Sequence, residues 1–218
     1  MNDFTSTPVS VKRIADSTVR RLSLYLRYLE AAGESGQQTI SSGDLARFGA
    51  TTSAQVRKDL SFFGSFGKRG LGYSVAELTS SLRGILGLEQ EWPVIIVGAG
   101  KIGTALAQYH GFRDRGFRVV AVYDRDPRKI GTKWDSLTVR DIESLESDAA
   151  ETRARIAVIA TPAAQAQAVA DHLAHAGIRA ILNFAPAQIR VPPEVLVRNV
   201  NMALELEGLS FALTNRER

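Results

Sequence analysis

The run Val94-Ile95-Ile96-Val97-Gly98-Ala99-Gly100-Lys101-Ile102-Gly103 carries an apolar strand straight into the pattern G-x-G-x-x-G, and a second apolar run, Val119-Val120-Ala121-Val122-Tyr123, ends on Asp124. Strand, glycine turn, helix and a following strand tipped by an acid are the context in which such glycines hold a dinucleotide. Gly98 permits the tight turn, Gly100 lets the backbone approach a pyrophosphate, and Gly103 lets helix and strand pack closely. The helix opening at Lys101 and Ile102 turns its positive end toward the phosphates. Asp124 is placed to accept hydrogen bonds from the ribose hydroxyls of the adenosine half and to repel a 2′-phosphate. Arg125 and Lys129 work the other way, since a nearby cation is how related pockets admit that phosphate.

Further strands are expected over 157–160 and 180–182, with a helix over about 164–176 between them. Thr161-Pro162 and Asn183-Phe184-Ala185-Pro186 follow the carboxyl ends of those strands, the edge at which open α/β sheets bind ligands. His172 and His175 lie three apart on a polar helix face, and His110 follows the first helix of this part. A metal would want a third ligand, so these histidines read as solvated. There is no Tyr-x-x-x-Lys pair, and only 35 residues follow Asn183, too few for a separate substrate domain. The pocket lacks a catalytic partner.

At 218 residues, 44% apolar and 23% charged, the chain suits two small globular domains. It has no cysteine, which removes thiol switches, disulfides and cysteine-ligated metals and fits a reducing cytoplasm. The first residues lack the basic start and apolar stretch of a secretory leader, and no apolar run approaches the roughly 18 residues of a membrane span. A soluble cytoplasmic protein with no membrane partner is expected. The net charge of +4 is concentrated: residues 1–84 hold 11 Lys/Arg against 7 Asp/Glu, and residues 85–218 hold 16 against 16. That asymmetry points to a polyanion partner for the N-terminal third.

In that third, Val19, Leu22, Leu24, Tyr25, Leu26 and Leu29 recur at helical spacing from about Ser17 to Ala32, and Gly33 and Gly36 stop the run. A short strand at 39–41 precedes a helix from Gly43 to Phe48 capped by Ser42, and a third helix over 54–63 is capped by Thr52 or Ser53. Short helix, tight turn and second helix form the helix-turn-helix order, in which the second member lies in the major groove. Gln55, Arg57 and Lys58 then face the groove. The following glycine-spaced segment, Gly64 to Tyr73, reads as a hairpin wing with Lys68 and Arg69 at its tip. Ser74 caps a further helix to Leu86, and Glu89 to Pro93 reads as a linker. The last segment sets Leu204, Leu206, Leu209, Phe211 and Leu213 on a helix that must bury its apolar face, on its own subunit or across a two-fold dimer; a reader of a two-fold operator favours the dimer.

Taken together, these residues resemble the Rex family of NADH-sensing redox repressors. The likeness covers nearly the whole chain. It rests on Leu22-Ser23-Leu24-Tyr25-Leu26-Arg27, Gln55-Val56-Arg57-Lys58-Asp59-Leu60-Ser61, Lys68-Arg69-Gly70-Leu71-Gly72-Tyr73, Gly98-Ala99-Gly100-Lys101-Ile102-Gly103 and Ile181-Leu182-Asn183-Phe184-Ala185-Pro186. It implies a homodimer with the C-terminal helix swapped between subunits. In that family NADH closes the dimer and releases DNA, whereas the NAD⁺-bound or apo form holds a palindromic operator, and the resemblance implies the same here. Carried over, Arg57, Lys58, Arg69 and Tyr73 contact DNA, and Gln55, Ser61, Lys68 and Gly70 in the same segments complete the expected DNA-binding set. Gly98, Gly100, Gly103 and Asp124 hold the adenosine and pyrophosphate, with Tyr109, Asn183 and Phe184 near the nicotinamide; Lys101, Ile102, Arg125, Lys129, Thr161 and Pro162, beside them in the glycine turn and at the strand ends, complete the expected cofactor-binding set. Where the family usually reads Val-Asp-Leu before the last helix, this chain has Val200-Asn201-Met202. The resemblance implies that the residue at this position changes partners between an arginine, here Arg27, and a tyrosine, here Tyr109, as NADH binds.

The expected fold class is α/β: a winged-helix DNA-binding domain over 1–87, a Rossmann doubly wound parallel sheet over 88–201 and a dimerisation helix over 202–218. The expected function is a non-enzymatic transcriptional repressor that binds double-stranded operator DNA and senses NADH/NAD⁺. Two other classes fit less well. An NAD-dependent oxidoreductase with an N-terminal binding module would change cofactor absorbance with a substrate, and a CoA-binding module would set its ligand's 3′-phosphate against Asp124.

Overall fold

In the computed structural model, which describes residues 14–67 and 71–216, the chain divides into two units between Glu89 and Gln90. The first unit runs α1 (Asp16–Glu34), β1 (Thr39–Ile40), α2 (Ser42–Phe48), α3 (Ser53–Ser61), β2 (Tyr73–Ser74) and α4 (Val75–Ile85). Leu22, Tyr25, Leu26, Leu29 and Ala32 repeat along one face of α1 and are buried with Leu45, Val56, Leu60, Leu78 and Leu82 from the other helices. Val19 and Leu24 fall off that stripe and are exposed.

Ser41, not Ser42, caps α2: its hydroxyl accepts from the Asp44 N–H while the Asp44 carboxylate accepts from the Ser41 N–H. Only Ser41 has an acid three residues on, which is the capping-box spacing. Thr52 caps α3 by accepting from the Gln55 N–H. β1 and β2 pair antiparallel, Ile40 opposite Tyr73. Gly67 and Gly72 have φ of +73° and +80°, and a Cβ on Gly67 would lie 2.4 Å from the Gly72 carbonyl oxygen. The chain doubles back there as the wing of a winged helix does. Lys68, Arg69 and Gly70, whose place at the wing's tip is a sequence expectation, lie outside the described residues.

The second unit runs β3 (Trp92–Val97), α5 (Lys101–Ala107), α6 (His110–Arg113), β4 (Phe117–Asp124), β5 (Lys133–Trp134), β6 (Leu137–Asp141), a 3-10 turn (Ile142–Ser144), α7 (Ala149–Thr152), β7 (Ile156–Ile159), α8 (Ala163–His175), β8 (Ala180–Asn183), β9 (Leu196–Asn199) and α9 (Met202–Arg216). The strands lie in the order β5-β6-β4-β3-β7-β8-β9, parallel except for β5 at the edge. On β3, Ile95 and Val97 enter the core that α8 covers with Ala166, Val169, Ala170 and Leu173, while Val94 and Ile96 enter the opposite core with Val122, Val139 and Val158. A parallel sheet buried on both faces needs this continuous apolar run. It is a Rossmann-type doubly wound sheet.

Trp92 and Pro93, expected in the linker, are the first two residues of β3, where the Trp92 N–H donates to the Gly116 carbonyl at 2.7 Å. A proline at a strand's start removes no ladder bond that matters. The short hairpin of β5 and β6 and the exposed edge strand β9 were not expected. Every residue of α9 whose exposure is described is exposed. No helix among the described residues is long and apolar enough to cross a membrane.

Leu78 is fully buried between α4 and α1. Leu78→Ala should cost the first unit about 2–5 kcal/mol. Thermal unfolding followed by circular dichroism should show an earlier transition for that unit and an unshifted one for the second.

Candidate dinucleotide cleft and nucleic-acid interface

A cleft of about 1070 Å³ opens beyond the carboxyl ends of β3, β4 and β7, with Gly98, Gly100, Asp124 and Thr161 in its wall. Strand order reverses between β3 and β7, and such a switch point is where doubly wound sheets bind ligands. Gly98 has φ of +112°, and a Cβ there would lie 2.5 Å from the Ala160 carbonyl oxygen; a Cβ on Gly103 would lie 1.9 Å from the Gly98 oxygen. Gly100 differs, since its Cβ would meet nothing within 4 Å. It caps α5 with no side-chain hydrogen bond, so the first-turn N–H groups of Lys101, Ile102 and Gly103 are left for an external acceptor. A glycine cradle with space in front and free donors behind fits a pyrophosphate.

Asp124 is buried at the tip of β4. Its Oδ2 accepts from the Ala99 N–H at 2.7 Å and from Lys129 Nζ at 3.0 Å, and its Oδ1 accepts from the Asp126 N–H at 2.9 Å. Burial pushes this carboxyl up, but the Asp126 N–H, the Lys129 ammonium and the Ala99 N–H outweigh it and hold the group below the usual carboxylate range. The acid expected to meet a ribose is thus also the brace of the glycine turn. A carboxylate has roughly four lone-pair sites, so with three donors engaged it keeps room for one hydroxyl. Lys101, Ile102, Arg125 and Lys129 all line the cleft.

Thr161 Oγ1 is buried in the same wall and has no hydrogen-bond partner among the described residues. An orphaned hydroxyl beside an open cleft fits a ligand's polar group. Pro162 and Phe184 stand with it. The wall also holds Ile142, Glu143, Gln165, Val169 and His172, which sequence reasoning did not assign. Gln165, Val169 and His172 fall on one face of α8 at helical spacing, the signal that could have found them, and His172 is half-buried. No cluster of His, Asp and Glu among the described residues could hold a metal ion.

Two residues expected here are elsewhere. Asn183 is fully buried: its Nδ2 donates to the Ala187 carbonyl and to Asn199 Oδ1, and its Oδ1 accepts from the Ala185 N–H. Its amide ties β8 to β9 and does not line the cleft. Tyr109 is 58% exposed, packs edge-on against Phe112, and lines a separate groove with Trp134 and Phe117. Asn201 Oδ1 accepts from the Ala203 N–H at 3.0 Å, capping α9, and Arg27 is exposed on α1.

In the first unit Lys58 and Ser61 are exposed on α3, and Arg57 donates to Ser42 Oγ at 3.0 Å. Gln55 is half-buried and its Nε2 donates to Asp59 Oδ1 at 2.8 Å. Asp59 is completely buried and also accepts from Arg21 and from the Tyr25 hydroxyl. Tyr73, expected among the DNA contacts, is only 8% exposed and belongs to the core, where burial pushes its hydroxyl up. Its ring pairs across from Ile40 because position 73 faces inward on β2.

Comparison with known proteins agrees with this division. Residues 13–61 match the family described as putative DNA-binding protein N-terminus, and residues 89–187 match the family described as CoA binding domain. Among curated relatives, the redox-sensing transcriptional repressor Rex of Carboxydothermus hydrogenoformans is 49% identical over 91% of this chain and 96% of its own, and that of Desulfitobacterium hafniense is 47% identical over 94% and 97%. Among solved structures, the protein RSP in complex with NAD⁺ and operator DNA superposes with a TM-score of 0.88 at 38% identity, covering 94% of each chain. RSP in complex with NADH superposes at 0.85 with 37% identity, covering 94% of this chain and 96% of that one.

The glycines make separable predictions. Gly103→Ala should lower the melting temperature of the second unit, because the new methyl meets backbone. Gly100→Ala should leave melting unchanged yet weaken dinucleotide binding, because the methyl enters the cleft. Melting curves and a fluorescence titration with NADH distinguish the two; equal effects on both readouts would contradict the assignment.

Proposed function

The chain belongs to the Rex family of redox-sensing transcriptional repressors, and from that premise we propose which of its residues carry each part of the activity. It is an NADH-responsive, DNA-binding repressor and not an enzyme. It takes NAD⁺ and NADH in the Rossmann unit and operator DNA on the winged helix, and it works as a dimer. The single observation that carries the dinucleotide assignment is the cradle at Gly100: open space in front, uncapped helix N–H groups behind, and the orphaned Thr161 hydroxyl alongside. Gly98, Gly100, Lys101, Ile102 and Gly103 hold the pyrophosphate, Asp124, Arg125 and Lys129 the adenosine ribose, and Thr161, Pro162 and Phe184 the nicotinamide half. The CoA binding description covers less than half of the chain, so it speaks for the fold of that unit.

On the DNA side, Arg57, Lys58 and Ser61 on α3 and Lys68, Arg69 and Gly70 on the wing supply the phosphate and base contacts. Tyr73 supports the wing from the core. The domain limits we assign are 1–87 for the winged helix, 88–201 for the Rossmann unit and 202–218 for the dimer helix, and the protein acts in the cytoplasm. Leu204, Leu206, Leu209, Phe211 and Leu213 on α9 are 60–71% exposed within one chain, an apolar surface that a second copy covers. Arg27, Tyr109 and Asn201 are the switch residues; Asn201 supplies a neutral amide in place of the family's acid, and its cap on α9 survives that change because Asn and Asp cap equally well.

The direct experiment selects a duplex from a random pool and follows its binding by fluorescence anisotropy. NADH should weaken operator binding at least about ten-fold, within the range of allosteric couplings, and NAD⁺ far less. A selected site with no two-fold symmetry, or operator binding indifferent to both nucleotides, would overturn the reading.

A further inference from the structure

Asp59 is a fully buried carboxylate for which none of the roles above has a use. It gathers three side chains from two helices: Arg21 Nε at 2.6 Å and Tyr25 Oη at 3.0 Å on Oδ2, and Arg21 Nη2 at 2.7 Å and Gln55 Nε2 at 2.8 Å on Oδ1. Arg21 Nη2 also donates to Thr18 Oγ1 at 3.1 Å. Burial pushes the Asp59 carboxyl up, but the bonds from Arg21, Gln55 and Tyr25 bring it below the usual range, so it stays ionised. Arg21 is the forked partner that such a site favours.

An ionised carboxylate only accepts hydrogen bonds. Gln55 must therefore turn its amide nitrogen to Asp59, because the flipped amide would set a carbonyl oxygen against Oδ1. That fixes which end of the Gln55 amide is left over: Oε1 and the second N–H remain, an acceptor and a donor side by side. Gln55 lies in the first turn of α3, capped at Thr52, and the N-terminal residues of a recognition helix are those that meet base edges. A neighbouring amide acceptor and donor match the N6 donor and N7 acceptor of adenine in the major groove.

We propose that Asp59 is a specificity-determining positioning residue, which locks α3 against α1 through Arg21 and Tyr25 and holds the Gln55 amide in the one orientation that reads an adenine. This rests on the operator-binding reading of the preceding subsection. The role differs from general packing support, because it predicts loss of preference at one symmetric pair of base positions rather than a uniform loss of DNA affinity.

The test uses the full-length protein and fluorescence anisotropy on the selected operator, on duplexes substituted one base pair at a time in both half-sites, and on an unrelated duplex of equal length. Gln55→Ala should lose about ten-fold discrimination at one A·T position per half-site. Asp59→Asn should lose the same preference, and the double variant should lose no more than Asp59→Asn alone, since the two act on one contact. NADH affinity should stay as in the wild type in each variant, and affinity for the unrelated duplex should not fall in Asp59→Asn, which keeps every cation. If Asp59→Asn is unfolded by circular dichroism, Arg21→Lys replaces it: it keeps the charge, loses the fork, and should show a smaller loss at the same position. Full discrimination in Gln55→Ala, or an equal loss on operator and unrelated duplex in the Asp59 or Arg21 variant, overturns the proposal. A wild-type protein that does not distinguish the two duplexes overturns the operator reading itself, and this proposal with it.

Discussion

The Cα of Gly103 lies so close to the Gly98 carbonyl that a methyl group there would stand 1.9 Å from the oxygen. This close approach sets the start of α5 directly over the end of β3, and everything in the cleft is placed relative to it. Gly98 can turn only because it tolerates a φ of +112°, and the Asp124 carboxylate, accepting the Ala99 N–H at 2.7 Å, ties the turn to the tip of the neighbouring strand. Contacts within the protein therefore fix the backbone of the cleft. Preorganised donors of this kind hold an anion without the cost of ordering a loop on binding.

The winged helix uses the same physics with different parts. Its ligand is also a polyanion, and its reading helix is also braced by a buried acid, Asp59, neutralised by Arg21 and by hydrogen bonds from Tyr25 and Gln55. In each unit a buried carboxylate stands beside the surface we assign to phosphate, and in each its charge is met by a cation and further donors. Breaking such a pair by removing one partner is expensive, whereas the intact pair adds little net stability.

The sequence made the glycine turn legible because each glycine answers a different steric demand and because the strand, the helix and the acid stood at the required spacing. The helix-turn-helix was legible from its caps, although the choice between Ser41 and Ser42 needed the capping-box spacing to Asp44. Tyr73 misled because an aromatic beside cations looks like a DNA contact, and only the pairing with Ile40 turns its ring inward. Asn183 misled because its motif marks the ligand edge, while its amide is spent on Ala185, Ala187 and Asn199. The strand β9 carries no alternation, since it is an edge strand with Leu196 71% exposed. His172 was read as solvated because a histidine on a polar helix face gives no sign of the cavity across from it.

One protein couples a dinucleotide in the Rossmann unit to DNA on the winged helix, and thermodynamic linkage makes that coupling reciprocal. The most direct measurement is the NADH binding isotherm of the full-length protein, taken free and then with the operator duplex at saturation. The operator should weaken NADH binding by the same factor by which NADH weakens operator binding, and an unrelated duplex should have no such effect. An NADH affinity that is identical with and without operator would contradict it.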